Sequence, residues 1–287
     1  MKISYQGQNT VGNCGYMGCT LEEAFIHEHF PKEVKESITD KRGSEELVEA
    51  FDSLATTAFT REGLKEVLSS RPVEFSEWRI GEGLAELFLK TNFNVRFWHN
   101  YISILRVEFF VKCVEFLLVF VSVQPSWDLK NRNCSPSGVD LLGFVTEGAN
   151  TLFVFCEPKT SSDLSCPPKV VYGRTVLRRQ ITALCTHGST RNGLIQFLGF
   201  KVSKLPRDNP FRVDYEKALM TYVESDCKRL RLFGLLVRDT TPNEKDVISL
   251  YEHHKDIIVS ELSIVFVGLY IPIKMADWKR IVDGGIA

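Results

Sequence analysis

The stretch SPSGVDLLGFVTEGANTLFVFCEPKTSS, Ser135 to Ser162, holds two dense runs of strand-forming residues separated by a segment that carries Gly148. Val139–Thr146 and Thr151–Lys159 read as antiparallel strands. A two-residue loop of Gly148 and Ala149, with glycine first as a type II′ turn prefers, makes Glu147 and Asn150 the closing pair. Counting back from that turn sets Phe144 opposite Phe153, Leu142 opposite Phe155 and Asp140 opposite Glu157. Period-two alternation then puts Lys159 on the face shared by the two acids and turns Pro158 away. A loop one residue longer would send Asp140 to the other face, so the site stands or falls with the register.

Cross-strand partners hold their Cβ atoms roughly 5 Å apart. Two ionised carboxylates at that separation repel by roughly 3 kcal/mol at an effective dielectric of 20. The strands that carry them are apolar on both faces, so the pair calls for a cation. Lys159 supplies one charge; a divalent ion would supply two, with Asp140 and Glu157 as the oxygen ligands that hard Mg²⁺ prefers. A structural salt bridge between Lys159 and one of the acids is the alternative on this geometry.

Outward from the hairpin, the chain is a mixture of helices and strands. SEWRIGEGLAELFLK, from Ser76, reads as a helix. Its stripe of Ile80, Leu84, Leu87 and Phe88 leaves Glu82 and Glu86 on the opposite, solvated side. SSDLSCPPKVVYG is a surface loop that can wall a groove. A helix follows over about Arg174 to His187, with Leu177, Ile181 and Leu184 as its buried stripe. Beyond it, LIQFLGFKV (residues 194–202) and LRLFGLLVRD (230–239) read as strands, residues 215–224 and 244–254 as helices, and IVFVGLYIP (264–272) as a last strand. The fold class is therefore α/β or α+β. Before about residue 70 the pattern is helical and polar, in TLEEAFIHEHF, SEELVEAFDSLA and TREGLKEVL, which divides the chain into a helical N-terminal extension (1–70) and a main domain (71–287).

An acid, a hairpin, then acid-x-lysine, preceded by a helix with "GE" and followed by a helix with Arg and Gln, resembles the PD-(D/E)xK nuclease superfamily. The motif reads SPSGVD and then CEPK, and the resemblance spans about residues 76–187. It implies a restriction-endonuclease-like mixed sheet flanked by helices, and metal-dependent phosphodiester hydrolysis. Carried over, Asp140 and Glu157 hold Mg²⁺ or Mn²⁺, and Lys159 orients or activates the attacking water. Pro158 offers its backbone carbonyl to the ion, since proline keeps that acceptor. Its missing N–H implies a strand end or edge. Glu82 stands about where the family has a metal-associated glutamate, and Gln180 where a polar side chain approaches the site. Lys169, Arg174, Arg178 and Arg179 are candidates for backbone-phosphate contacts, or equally a solvated surface.

Composition limits the partners. With 35 basic and 36 acidic residues the formal net charge is -1 and the pI about 6.6, so no global field draws the protein to polyanions. DNA is the expected substrate, RNA the alternative, delivered by a dimer or a larger partner. The helical preface and short core look similar to nuclease subunits of Hachiman-type anti-phage systems, in which a helicase accompanies the nuclease. A catalytically inactive, nucleic-acid-binding or assembly subunit of the same fold is the rival class. Eight cysteines without repeated spacing point to reduced thiols and a cytoplasmic setting. Cys14, Cys19, His27 and His29 match no usual zinc spacing. The N-terminal residues lack the apolar core of a signal peptide. Residues 102–123, the most apolar segment, carry Arg106, Glu108, Lys112 and Glu115, so a buried strand or two are expected there, FLLVFVSV the clearest, and no membrane span. No Walker-type glycine loop is present.

Overall fold

The computed structural model describes residues 1–9, 12–39, 76–97, 139–172, 177–258 and 261–283. Its centre is a seven-stranded mixed sheet in the order β1-β2-β7-β6-β5-β4-β3. The strands are β1 (Lys2–Gln8), β2 (Cys14–Thr20), β3 (Arg96–Phe97), β4 (Leu141–Glu147), β5 (Asn150–Ser161), β6 (Leu230–Arg238) and β7 (Leu262–Tyr270). β5, β6, β7 and β2 run parallel, and antiparallel strands close both edges. The described helices are α1 (Glu23–His29), which continues through a π-helical turn (Phe30–Val34) into α2 (Lys35–Thr39), α3 (Glu77–Phe93), α4 (Lys169–Tyr172), α5 (Leu177–Thr186), α6 (Gly188–Val202), α7 (Pro210–Glu224), α8 (Lys245–His254) and α9 (Met275–Val282).

The hairpin folds in the counted register. Glu147 pairs with Asn150, Phe144 with Phe153 and Leu142 with Phe155, and the ladder ends at Leu141 with Cys156. Gly148 has φ +59° while Ala149 does not enter positive φ, the signature of a type II′ turn. β5 is apolar on both faces because helices cover both. Phe153 and Phe155 join Leu232, Leu236 and Phe266 in a core under α5 to α8. Leu152, Val154 and Cys156 face a second core with α3, the α1 region and Trp278 of α9.

Three expectations are corrected. Lys2–Gln8 and Cys14–Thr20 are not part of a helical extension: they form β1 and β2, and β2 pairs with β7 from Cys14↔Ile264 to Thr20↔Tyr270. The described residues up to 39 thus belong to the main sheet and its helical layer. Their strands escaped notice because glycine replaces apolar alternation. A Cβ at Gly18 would lie 2.3 Å from the Tyr5 ring and one at Gly7 2.6 Å from the Tyr16 ring, so each tyrosine lies flat over the neighbouring strand's glycine. Residues 194–202, read as a strand, lie in α6. Leu194, Ile195, Leu198 and Val202 are buried at helical spacing, and a short apolar run does not distinguish the two periods.

The third correction concerns α3. Every residue from Ile80 to Leu89 is buried, Glu82 and Glu86 included, so the acidic face is not solvated. One side meets the sheet so closely that a Cβ on Gly81 would fall 1.9 Å from Thr160 Oγ1. On another side the α2 residue Ser37 donates its hydroxyl to Glu86 Oε2 at 2.6 Å, and Lys90 pairs with the same carboxylate. Periodicity registers one buried stripe and is blind to a second cover. The helices expected at residues 44–55 and 60–68, and the apolar segment 102–123, lie outside the described residues. Among the described residues no helix is long and apolar enough to cross a membrane.

His254 joins two helices. Its ring is fully buried, with Nδ1 donating to the Leu250 carbonyl at 2.7 Å and Nε2 3.0 Å from Thr182 Oγ1. Burial depresses its pKa from 6.5 to about 4. The unfolded chain therefore takes up this proton first as pH falls. The neutral ring's contribution is complete above pH 6.5 and is lost toward pH 4, at about 1.4 kcal/mol per pH unit for one group. Urea midpoints measured from pH 7 to 4.5 should fall less steeply in His254→Asn than in the wild type.

Gly81→Ala should lower the unfolding free energy by about 1–3 kcal/mol through overpacking against Thr160. Adding Thr160→Ala should return part of that loss, a positive coupling readable in a double-mutant cycle of urea denaturation.

Candidate active site

Beyond Leu141 the hairpin places Asp140 and Glu157 opposite each other, and Lys159 follows two residues along the same face of β5. Lys159 Nζ lies 3.5 Å from Asp140 Oδ2 and makes a short hydrogen bond to Glu157 Oε1. Glu157 is only 1% exposed, whereas the Asp140 and Lys159 side chains keep 17% and 24% of their surface. One acid thus forms the floor, and the other acid and the lysine reach solvent. Burial, reinforced by the Asp140 charge, holds the Glu157 carboxyl well above the usual carboxylate range despite Lys159. Burial works against the Lys159 ammonium, but the two acids outweigh it and raise its pKa. Glu157 tops a column of apolar side chains, Phe153 and Phe155, on a strand whose last residues leave the core.

Pro158 sits inside β5, which runs on to Ser161 against β6, so it does not end the strand. It does mark an edge. In a two-residue hairpin the closing pair is hydrogen-bonded and every second residue points its peptide groups the same way. Asn150, and therefore Cys156 and Pro158, turn toward β4, whose last ladder pair is Leu141 with Cys156. The proline's absent N–H costs no ladder bond there, and its carbonyl is directed to the side where Asp140 stands.

The other candidates divide by face. Gly81 packs on Thr160, which alternation places on the face opposite Glu157 and Lys159, so Glu82 belongs to the other helical layer. Its Oε2 is 3.9 Å from Arg79 Nη1. Among the described residues no group of three or more His, Cys, Asp or Glu side chains is placed to hold a metal ion. The donors gathered for a cation are the two carboxylates, with the Pro158 carbonyl beside them. Their fit to a divalent ion rests on two opposed acids compensated by a single ammonium.

α5 lies on the same face as the trio. A Cβ on Gly234, the lateral partner of Glu157, would sit 3.5 Å from Ile181 Cγ1. The preceding Gln180 has a buried Oε1 without a hydrogen-bond partner among the described residues. Arg178, Arg179 and Lys169 are exposed, and Arg174 lies outside the described residues.

A second polar cluster beside the site escaped the sequence reading. Ser161, Arg238 and Tyr270 are lateral neighbours at the ends of β5, β6 and β7. Arg238 is fully buried and paired with Asp246, also fully buried; Tyr270 donates to Asp246 Oδ2 at 2.9 Å, and the Tyr5 and Tyr270 hydroxyls are 2.6 Å apart. The available signal was an arginine closing LRLFGLLVR, a strand apolar on both faces between its two arginines. The six described cysteines, Cys14, Cys19, Cys156, Cys166, Cys185 and Cys227, are free thiols. Compared with known protein families, curated proteins and solved structures, the chain finds no match.

Removing the cation between the acids should be costly. Lys159→Met is expected to lower the unfolding free energy by about 1–3 kcal/mol, because it strands two carboxyls in a mostly buried site. Asp140→Asn in the same background should restore part of the loss in urea denaturation.

Proposed function

We propose that this chain is a metal-dependent nuclease of the PD-(D/E)xK type, hydrolysing phosphodiester bonds in DNA. The observation that carries the reading is the convergence of Asp140, Glu157 and Lys159 on one face, with the buried acid as floor and the other two open to solvent. Asp140, Glu157 and the Pro158 carbonyl would hold Mg²⁺ or Mn²⁺. When bound, such an ion supplies positive charge against the scissile phosphate and eases loss of a proton from water.

The residues of the chain do the positioning. β5 and the hairpin fix the carboxylates, and Lys159 directs its ammonium to the same point, where it can orient water and offset charge developing on the phosphate. Gln180, whose Oε1 has no hydrogen-bond partner among the described residues, supports a polar contact at the margin of the site. The near-zero net charge supports delivery of substrate by a homodimer or by a partner such as a defence-system helicase, within a prokaryotic anti-phage or restriction system. Free thiols fit a reducing, cytoplasmic setting.

A second reading has its own observation. Lys159 already bridges both acids and, among the described residues, no third acid joins them, which suits a non-catalytic nucleic-acid-binding or assembly subunit. Matched DNA and RNA digestion with Mg²⁺ and Mn²⁺ separates the readings. The nuclease loses at least about a hundredfold in rate on Lys159→Ala or Glu157→Ala. Unchanged rates in both variants, or no metal uptake and no cleavage by the protein or its complex, establish the non-catalytic reading instead.

Burial and the Asp140 charge raise the Glu157 pKa, so protons and a cation compete for this carboxylate. Mg²⁺ or Mn²⁺ affinity should strengthen as pH rises. Calorimetric titrations in buffers of different ionisation enthalpy should register proton release, and Glu157→Gln should abolish it.

A further inference from the structure

Lys159 stands where the two acids meet. Its Nζ makes a short hydrogen bond to Glu157 Oε1 and lies 3.5 Å from Asp140 Oδ2, so a single ammonium spans both carboxylates. Among the described residues no other cation pairs with either acid. Glu157 is sealed in the floor and has no solvent to turn to. A divalent ion lies about 2.0–2.6 Å from its oxygen ligands. Between two carboxylates already spanned by one ammonium there is no room for a second cation at that distance, and in a mostly buried site water screens the repulsion poorly.

The lysine has one way out. Along the same face of β5 the next side chain is Ser161, whose lateral neighbour on β6 is Arg238. That guanidinium has no exposed surface and is held by Asp246 and by the Asp163 carbonyl. Toward the end of the strand an ammonium therefore meets a fixed like charge. The Lys159 side chain is partly exposed, and its four-carbon stem is flexible, so the open direction is solvent.

We propose that Lys159 is an internal counter-ion that occupies the cation position between Asp140 and Glu157, and that a divalent ion enters only by exchange, the ammonium swinging outward to solvent. The lysine thus regulates metal loading of the site as well as serving its chemistry. This rests on the reading of the two acids as metal ligands.

The test uses Mn²⁺ alone as probe, with wild type, Lys159→Met, Lys159→Arg and Asp140→Asn. Bound Mn²⁺ is counted by the loss of the free-ion electron paramagnetic resonance signal. Acetylation of Lys159 relative to the exposed Lys169 is followed by mass spectrometry in Mn²⁺ and in EDTA. Lys159→Met should bind Mn²⁺ about tenfold more tightly than wild type, and the ion should return the melting temperature that this variant loses. Lys159→Arg keeps the charge but holds both acids through a planar fork, and should bind about tenfold more weakly than wild type. Mn²⁺ should raise the acetylation of wild-type Lys159 several-fold, and that readout decides alone if Lys159→Met fails to fold. Asp140→Asn should abolish binding, and ion uptake that survives it lies elsewhere and overturns the proposal. Equal affinities in wild type, Lys159→Met and Lys159→Arg overturn the exchange while leaving the nuclease reading intact. Tighter binding by Lys159→Met with unchanged acetylation of the wild type reduces the effect to repulsion at a distance and also overturns it. No Mn²⁺ bound by any variant, with no cleavage by wild type, sinks both readings.

Discussion

The turn at Gly148 and Ala149 governs the rest, because its two-residue length decides which side chains meet at the far end of the hairpin. Six ladder steps separate the closing pair from Leu141 and Cys156, and each preserves parity. The same count that buries Phe144 against Phe153 delivers Asp140 to Glu157. A slip of one residue in β4 would carry Asp140, Leu142 and Phe144 together to the face under α3 and separate Phe144 from Phe153, so packing of the phenylalanines enforces the geometry of the acids. The site inherits its precision from the apolar core.

Charge is concentrated where the parallel strands leave that core. Glu157 and Lys159 on β5 and Arg238 on β6 share one face, and each is neutralised by a neighbour: Lys159 by two acids, Arg238 by Asp246. Buried ion pairs of this kind add little to net stability compared with apolar packing, yet removing one partner is strongly destabilising. Their effect is to constrain position. Arg238 connects the exit of β5 to α8, and through Asp246 and Tyr270 to Tyr5 on the edge strand β1. The N-terminal strands thus share a hydrogen-bonded chain with the loop beside the candidate site.

Where sequence patterns failed, the causes are specific. β1 and β2 carry glycines at inward positions, filled by tyrosines of the adjacent strand, so neither shows apolar alternation. α6 presents a run whose length suits either period, and the helical choice follows from packing against α7, where a Cβ on Gly199 would lie 2.3 Å from the Tyr215 hydroxyl. α3 looks amphipathic, but two layers enclose it. Glu82 and Glu86 were legible as acids on a helix; their burial, and the placing of Glu82 across the sheet from Glu157, were not.

Sequence alone was enough for the mixed α/β class, the hairpin, its register and the meeting of Asp140, Glu157 and Lys159. Turn length and period-two alternation are local properties that propagate without outside information. Only the tertiary structure decided that β1 and β2 enter the sheet, that α3 is enclosed and that Arg238 anchors the loop after β5. Those outcomes depend on contacts between segments tens to hundreds of residues apart, whose free energies no local pattern encodes.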